Sequence, residues 1–180
     1  MKKYLLLDRD GVINHDSEEF IKSPAEWLPL EKSLEAIALL NQNGFQVVVI
    51  TNQSGLARGL FDEQTLIEIH HKMCAETEKV GGRIEAIYFC PHQGNDSCEC
   101  RKPKAGLLKQ FASDYDVDLK SIFFIGDSLR DIQAANAGGA IPILVKTGNG
   151  AKTLQENPQL LTSLLIFENL YDTANYLINL

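Results

Sequence analysis

Leu5-Leu6-Leu7-Asp8-Arg9-Asp10-Gly11-Val12-Ile13-Asn14 decides how the rest of this chain reads. The apolar run Leu5–Leu7 has the composition of a buried strand, and it breaks off in two aspartates spaced i, i+2 and a glycine. In an open α/β sheet, ligands collect outside the carboxyl ends of the strands. Carboxylates placed there are costly to desolvate unless a metal or a reacting group needs them. The spacing suits a division of labour: one carboxylate attacks or binds metal, and its neighbour handles protons. Taken alone, the stretch also reads as a strand followed by a solvated Asp-x-Asp-Gly turn. The other strand ends have to decide.

Working outward, Lys3–Leu7 is the first strand, and Phe45–Ile50 repeats its pattern, ending in Thr51-Asn52-Gln53-Ser54-Gly55. Ile84–Phe89 runs into a segment of cysteines and a histidine, and Ile122–Ile125 ends in Gly126-Asp127-Ser128. Ile141–Val145 and Leu164–Phe167 complete the strands. Helical patterns fill the intervals: from Leu34 to a stop at Asn43-Gly44, from Asp62 to Gly81-Gly82, over Lys104–Tyr115, over Arg130–Ala137, and from Glu168 onward. Asp16–Leu30, with Pro24, Trp27 and Pro29, is an irregular loop over the end of the sheet, which Trp27 is expected to pin to the body. Strands that alternate with helices and connect by right-handed crossovers give a doubly wound, largely parallel, Rossmann-like α/β sheet. No inserted stretch is long enough for a separate cap domain, so residues 1–180 read as a single domain with an open site shaped by loops.

Bulk properties narrow the function. The formal net charge of −7 and the lack of a basic stripe speak against a nucleic-acid surface. Lys2-Lys3 is followed by too short an apolar run for a secretory signal, and nothing later approaches a membrane span, so a cytoplasmic location is the expectation. A monomer acting on a small phosphorylated molecule is expected as well. Three of the four cysteines, Cys90, Cys98 and Cys100, share the segment 90–100 with His92. Three thiolates and an imidazole make a closed tetrahedral set for a structural Zn²⁺, and clustering of this kind points to metal before disulfides. The bland alternative is a group of buried or oxidised cysteines.

Asp8/Asp10, Thr51/Asn52 and Asp127/Asp131 all lie at strand ends, and Arg101-Lys102-Pro103-Lys104 lies between the third strand and its helix. A parallel sheet brings them to one rim. Singly, Thr51 is a capped turn, Asp127 an N-cap and Lys102 a solvated lysine. Together they resemble the haloacid dehalogenase-type phosphohydrolases, through Asp8-x-Asp10-Gly11-Val12, Val49-Ile50-Thr51-Asn52, Lys102 and Gly126-Asp127-Ser128-x-x-Asp131. The resemblance implies Asp8 as nucleophile, forming an aspartyl-phosphate, and Asp10 as general acid/base. It also implies Mg²⁺ held by Asp8, the Asp10 carbonyl and Asp127. A phosphate ester is anionic, and such a cation cancels its repulsion from the attacking carboxylate. Lys102 and the Thr51 hydroxyl then hold phosphoryl oxygens, and Asp131 orients Lys102. Because Asp10 must be protonated in the first step, its pKa is expected to be raised by neighbouring negative charge.

Within that superfamily the Cys/His loop makes the chain similar to the small, capless heptose-bisphosphate and histidinol-phosphate phosphatases, and more to the former. The resemblance implies removal of the 7-phosphate from a heptose 1,7-bisphosphate, a step toward nucleotide-activated heptose and lipopolysaccharide. Histidinol phosphate is the alternative substrate, for which Glu18, Glu19 and Glu99 could form an acidic rim. The group's substrate contacts fall on Asp16, Ser17, Glu18 and Glu19, on Asn52, Gln53 and Ser54, and on Arg101. Arg58 is either a ligand for the distal phosphate or a surface arginine, and Asn14 either meets sugar hydroxyls or is a polar loop residue. Two departures stand out: a short spacer between His92 and Cys98, and Ser128 where several members carry a lysine. His70-His71 sits on the long helix, where packing or solvent is the expected role.

Overall fold

Successive residues of a strand face opposite sides of its sheet. Leu5 and Leu7 enter one hydrophobic cluster and Leu6 another, so β1 (Lys3–Leu7) is covered on both faces. The computed structural model describes residues 2–180. Its strands are β1, β2 (Phe45–Asn52), β3 (Ile84–Cys90), β4 (Phe123–Gly126), β5 (Ile141–Val145) and β6 (Leu165–Phe167). They form one six-stranded sheet in the order β3-β2-β1-β4-β5-β6, and every pairing is parallel. This is the doubly wound arrangement expected from the alternation of elements, with β1 beside the point where the strand order reverses.

Six helices pack on this frame: α1 (Ser33–Gln42), α2 (Glu63–Lys79), α3 (Gly106–Tyr115), α4 (Leu129–Gly138), α5 (Gly150–Glu156) and α6 (Leu170–Leu177). Leu34, Ile37 and Leu40 of α1, Ile69 and Met73 of α2, and Leu170, Ala174 and Leu177 of α6 join the cluster of Leu5 and Leu7. Leu107, Leu108 and Phe111 of α3 and Ala134 and Ala135 of α4 join that of Leu6. The spacing of Leu66, Ile69, Met73 and Thr77 on α2 is one helical face, and His70 lies on it, buried with them.

Besides shifts of one or two residues at the ends of β4, β6, α4 and α6, three details differ from the sequence expectation. Strands β2 and β3 run on to Asn52 and Cys90, which carries the polar residues themselves into the sheet. Helix α3 begins at Gly106 rather than Lys104, because the preceding turn uses its amides elsewhere: Lys104 N–H donates to Arg101 O at 2.9 Å and Gly106 N–H to Glu99 O at 3.1 Å. Helix α5 was not anticipated, since Gly148-Asn149-Gly150 is poor helix-forming sequence.

Trp27 is fully buried, and Lys72 Nζ of α2 donates to Pro24 O at 2.8 Å and Trp27 O at 2.9 Å, pinning the 16–30 loop beside the strand ends. Phe111 anchors the opposite layer, meeting Tyr4, Tyr88 and Tyr115 at ring-centroid distances of 5.4, 6.2 and 5.1 Å. Phe111→Ala should therefore destabilise the fold by about 3–5 kcal/mol, read as a lower midpoint in urea unfolding at unchanged slope.

Candidate active site

Parallel register brings the polar strand ends together. Leu7 pairs with Val49 of β2 and with Ile125 of β4, so Asp8 comes out between the ends that carry Thr51-Asn52 and Gly126-Asp127. The result is a cavity of about 300 Å³ with Asp8, Asp10, Lys102, Asp127 and Asp131 on its walls. Lys102 is only 2% exposed. Its Nζ lies 2.8 Å from Asp8 Oδ1 and 2.7 Å from Asp131 Oδ1, and donates to Ile50 O at 3.0 Å. Burial opposes its charge, but Asp131 and Asp8 outweigh burial and raise its pKa.

Asp131 uses both its oxygens inside the protein. Oδ2 accepts from Asp127 N–H at 3.2 Å, Ser128 N–H at 3.0 Å and Ser128 Oγ at 2.7 Å, closing a capping box at the start of α4, while Oδ1 faces Lys102. Burial works against its ionisation, yet Lys102 and these donors hold its carboxyl below the ordinary range. Asp8 is the reverse case. Burial, then Asp131 and Asp127, push its carboxyl well above the ordinary range against the pull of Lys102. Asp127 is pushed up to about 7 by burial and by Asp131.

These residues fit a divalent cation. Carboxylate oxygens of Asp8, Asp127 and Asp131 lie within 4.8 Å of one another, facing the single positive charge of Lys102. With Asp131 already committed, Asp8 and Asp127 remain as hard oxygen donors whose excess negative charge a Mg²⁺ would relieve. Asp127 is set from behind: Asn149 N–H donates to its Oδ2 at 2.7 Å and Thr153 Oγ1 to its carbonyl at 3.0 Å. Gly11 at φ +81° and Gly148 at φ +56° flank it so closely that an added Cβ would fall 2.1 and 2.3 Å from Asp127 Oδ2.

Asp10 departs from expectation. Its pKa is lowered, not raised: burial works upward, but the Arg9 guanidinium beside it, with donors from Asn14 and Gln53, prevails. Arg9 Nη2 lies 2.9 Å from Oδ1 and 3.1 Å from Oδ2, Asn14 Nδ2 donates to Oδ1 at 2.8 Å, and Gln53 Nε2 donates to Oδ2 at 3.0 Å. The expectation rests on neighbouring negative charge, but the charge that acts on Asp10 most is this arginine, which is itself fully buried. Asn14 is likewise fully buried, so its amide serves Asp10 rather than a sugar hydroxyl.

The remaining predicted residues sort by position. Asp16, Ser17, Asn52, Gln53, Ser54, Arg58 and Arg101 line the cavity, whereas Glu18, Glu19 and Thr51 do not. Thr51 is 1% exposed, and its Oγ1 accepts from Gln53 Nε2 at 3.0 Å. Asn52 clamps the backbone of Lys102, donating from Nδ2 to its carbonyl at 3.1 Å and accepting its N–H on Oδ1 at 3.0 Å. Arg58 stacks over Phe20 at 5.7 Å. Four lining residues were not foreseen: Arg130, Asn149, Phe20 and Ile21. Arg130 carried a signal, standing in the first turn of the helix behind Asp127; Asn149 precedes the helix that the sequence concealed.

The Cys/His loop closes on itself. Cys90, His92, Cys98 and Cys100 bring one ligand atom each within 4.8 Å of the others, and the three cysteines are free of disulfides. Cys90 Sγ lies 3.9 Å from Cys98 Sγ, 3.5 Å from His92 Nδ1 and 2.9 Å from Cys100 Sγ, so the four ligand atoms converge on one point, as a closed zinc set requires. Arg101 Nη1 donates to His92 O at 3.0 Å, so the loop holds an arginine of the cavity wall.

Two outcomes follow. In Mg²⁺-free protein, the raised Asp127 pKa means the native state binds a proton that the unfolded state releases, so this group's contribution is lost as pH rises through about 7. Mg²⁺ replaces that proton, so its gain in Tm should be larger at pH 8 than at pH 6 by thermal-shift assay. For the loop, Cys100→Ser should lower bound zinc, measured by elemental analysis, and expose amides of residues 90–104 to hydrogen exchange.

Known proteins match this geometry. A family profile described as HAD-hydrolase-like covers residues 99–173. The D-glycero-beta-D-manno-heptose-1,7-bisphosphate 7-phosphatase of Bordetella bronchiseptica is 54% identical over 154 residues, 86% of either chain. Its counterpart in Pseudomonas aeruginosa is 46% identical over 177 residues, 98% of either chain. The crystal structure of the D,D-heptose 1,7-bisphosphate phosphatase from B. bronchiseptica, complexed with magnesium and phosphate, is similar at a TM-score of 0.95 and 50% identity, covering 98% of both chains. At these identities, over nearly the whole length of the chain, the chain belongs to the heptose-1,7-bisphosphate 7-phosphatase family of haloacid dehalogenase-like hydrolases.

Proposed function

We propose that this protein is a Mg²⁺-dependent phosphatase that removes the 7-phosphate of D-glycero-β-D-manno-heptose 1,7-bisphosphate through an aspartyl-phosphate on Asp8. The observation that carries the reading is Lys102, buried between Asp8 and Asp131 with Asp127 alongside. Relatives of that name at 46–54% identity support the substrate.

Asp8 accepts Arg9 N–H and Lys102 on Oδ1, which leaves Oδ2 to attack phosphorus. Asp8, the Asp10 carbonyl and Asp127 would hold Mg²⁺, which would supply neutralising charge for the nucleophile and the phosphoryl group. Lys102 provides the protein's own cation at the same place, while Thr51 Oγ1 holds the Gln53 amide that donates to Asp10. Asp10 protonates the departing alkoxide, then takes a proton from the water that cleaves the aspartyl-phosphate. Its clamp of Arg9, Asn14 and Gln53 favours the ionised form, the form needed for that second step. Binding of the dianionic ester beside it supplies the negative charge that raises its pKa for the first.

A second phosphate on the substrate requires positive groups away from the reaction centre. Arg58, Arg101 and Arg130 line the cavity, and Arg101 feels the charge of both others. The acidic residues that a histidinol substrate would want, Glu18, Glu19 and Glu99, do not line it. That observation favours the sugar bisphosphate over histidinol phosphate. Among the described residues no helix is long and apolar enough to cross a membrane, and the reading places the enzyme in the cytoplasm, feeding nucleotide-activated heptose synthesis.

The test is phosphate release with Mg²⁺ from both anomers of the heptose bisphosphate, histidinol phosphate and a hexose monophosphate, compared as kcat/KM. The β-anomer should lead, and Asp8→Asn should abolish turnover while leaving the thermal transition in place. Equal rates on all four substrates would defeat the assignment of substrate, and turnover by Asp8→Asn would defeat that of the nucleophile.

A further inference from the structure

Arg9 is the largest charged side chain wholly enclosed by this fold, and the mechanism above gives it no contact with substrate. Its guanidinium is shared between two partners. Nε and Nη2 hold Asp10, at 3.1 Å to Oδ1 from Nε and at 2.9 and 3.1 Å to Oδ1 and Oδ2 from Nη2. Nη1 points the other way, to His70 Nε2 at 3.2 Å. An arginine has no acceptor, so the histidine must accept this hydrogen bond, and Nε2 must be unprotonated. His70 is buried on the same face of α2 as Leu66, Ile69 and Met73, so packing fixes where its ring can stand. Burial, then Arg9, hold its pKa near 3, which keeps the ring neutral and able to accept.

A guanidinium is planar, with its donors in a rigid fork. Fixing one prong therefore fixes the direction of the others. We propose that His70 is a positioning residue for Asp10, acting through Arg9: it holds one end of the guanidinium so that the other presents the Asp10 carboxylate to the departing oxygen. The inference rests on the proposed acid role of Asp10. In that step Asp8 forms the new O–P bond, the ester O–P bond breaks, and the released alkoxide takes its proton from Asp10.

The choice of leaving group separates positioning from general support. A sugar alkoxide needs that proton, whereas 4-nitrophenolate leaves without it. kcat/KM reports the first irreversible step. His70→Leu removes the acceptor at similar bulk, His70→Met does so with a more adaptable side chain should the first not fold, and His70→Gln restores an acceptor. His70→Leu should lower kcat/KM for the sugar phosphate about tenfold, a modest part of what general acid catalysis supplies, with the value for 4-nitrophenyl phosphate nearly unchanged. His70→Gln should recover most of the loss. Equal losses on both esters, or none on either, would overturn the proposal.

Nitrogen-15 NMR of the native protein reads the geometry without turnover: His70 should be a neutral ring protonated on Nδ1 at pH 6. A charged ring, or one protonated on Nε2, would likewise overturn it. The native protein's preference among phosphate esters tests the proposed function separately. Should that preference fall on another sugar phosphate, the leaving-group comparison runs on that ester.

Discussion

One ammonium group between two carboxylates organises this molecule. Lys102 is enclosed with Asp8 and Asp131 within 2.8 Å, and none of the three charges would survive there without the others. Removing one partner of such a buried pair typically costs about 3–5 kcal/mol, because the charge left behind has lost its water as well as its neighbour. The supporting structure follows from that constraint. Asn52 grips the lysine's backbone from β2, Ile50 offers a carbonyl to its ammonium, and the capping box of α4 occupies the second oxygen of Asp131. Two strands and a helix are thus tied to one residue.

Around this centre the protein divides its polar groups into those that hold and those that face the cavity. Gln53 lines the cavity, yet its amide is spent on Asp10 and Thr51. Asn14 and Arg9 are wholly enclosed, and the only acid their side chains bond is Asp10. The groups left to face a ligand are mostly guanidinium: Arg58, Arg101 and Arg130. Their mutual repulsion needs an anion to settle it, just as the carboxylate floor needs a cation. An acidic protein can therefore bind a doubly phosphorylated sugar by separating its charges within one cavity.

The frame was legible in the sequence because β-branched and leucine-rich runs recur at regular intervals and each ends in polar residues. The carboxylates and Lys102 were legible because acids and a lysine at successive strand ends have few structural reasons to be there. What stayed hidden were the partners. An amide at a strand end can bond substrate, backbone or another side chain, and only the fold selects; Asn52 and Gln53 were read as substrate contacts and turned out to be holding other residues too. Arg9 lies between two aspartates of the cavity, where sequence offers no sign that it is buried or that it reverses the expected shift of Asp10. His70 is 61 positions away from it, on a helix that looks merely amphipathic. Glu18 and Glu19 belong to a loop whose polarity predicts exposure but not direction.

The two glycines packed against Asp127 restrict how this enzyme can change over time. A methyl group at position 11 or 148 would land on the carboxylate oxygen itself, and both backbones are left-handed, so each site admits a single amino acid. The floor of the cavity is thus closed to gradual variation. Its arginine side carries no such restriction, since Arg58 and Arg130 reach the cavity from a loop and from the first turn of a helix. Innovation in substrate choice is channelled to that wall, so descendants of this chain would diverge in what they bind long before they diverged in how they react.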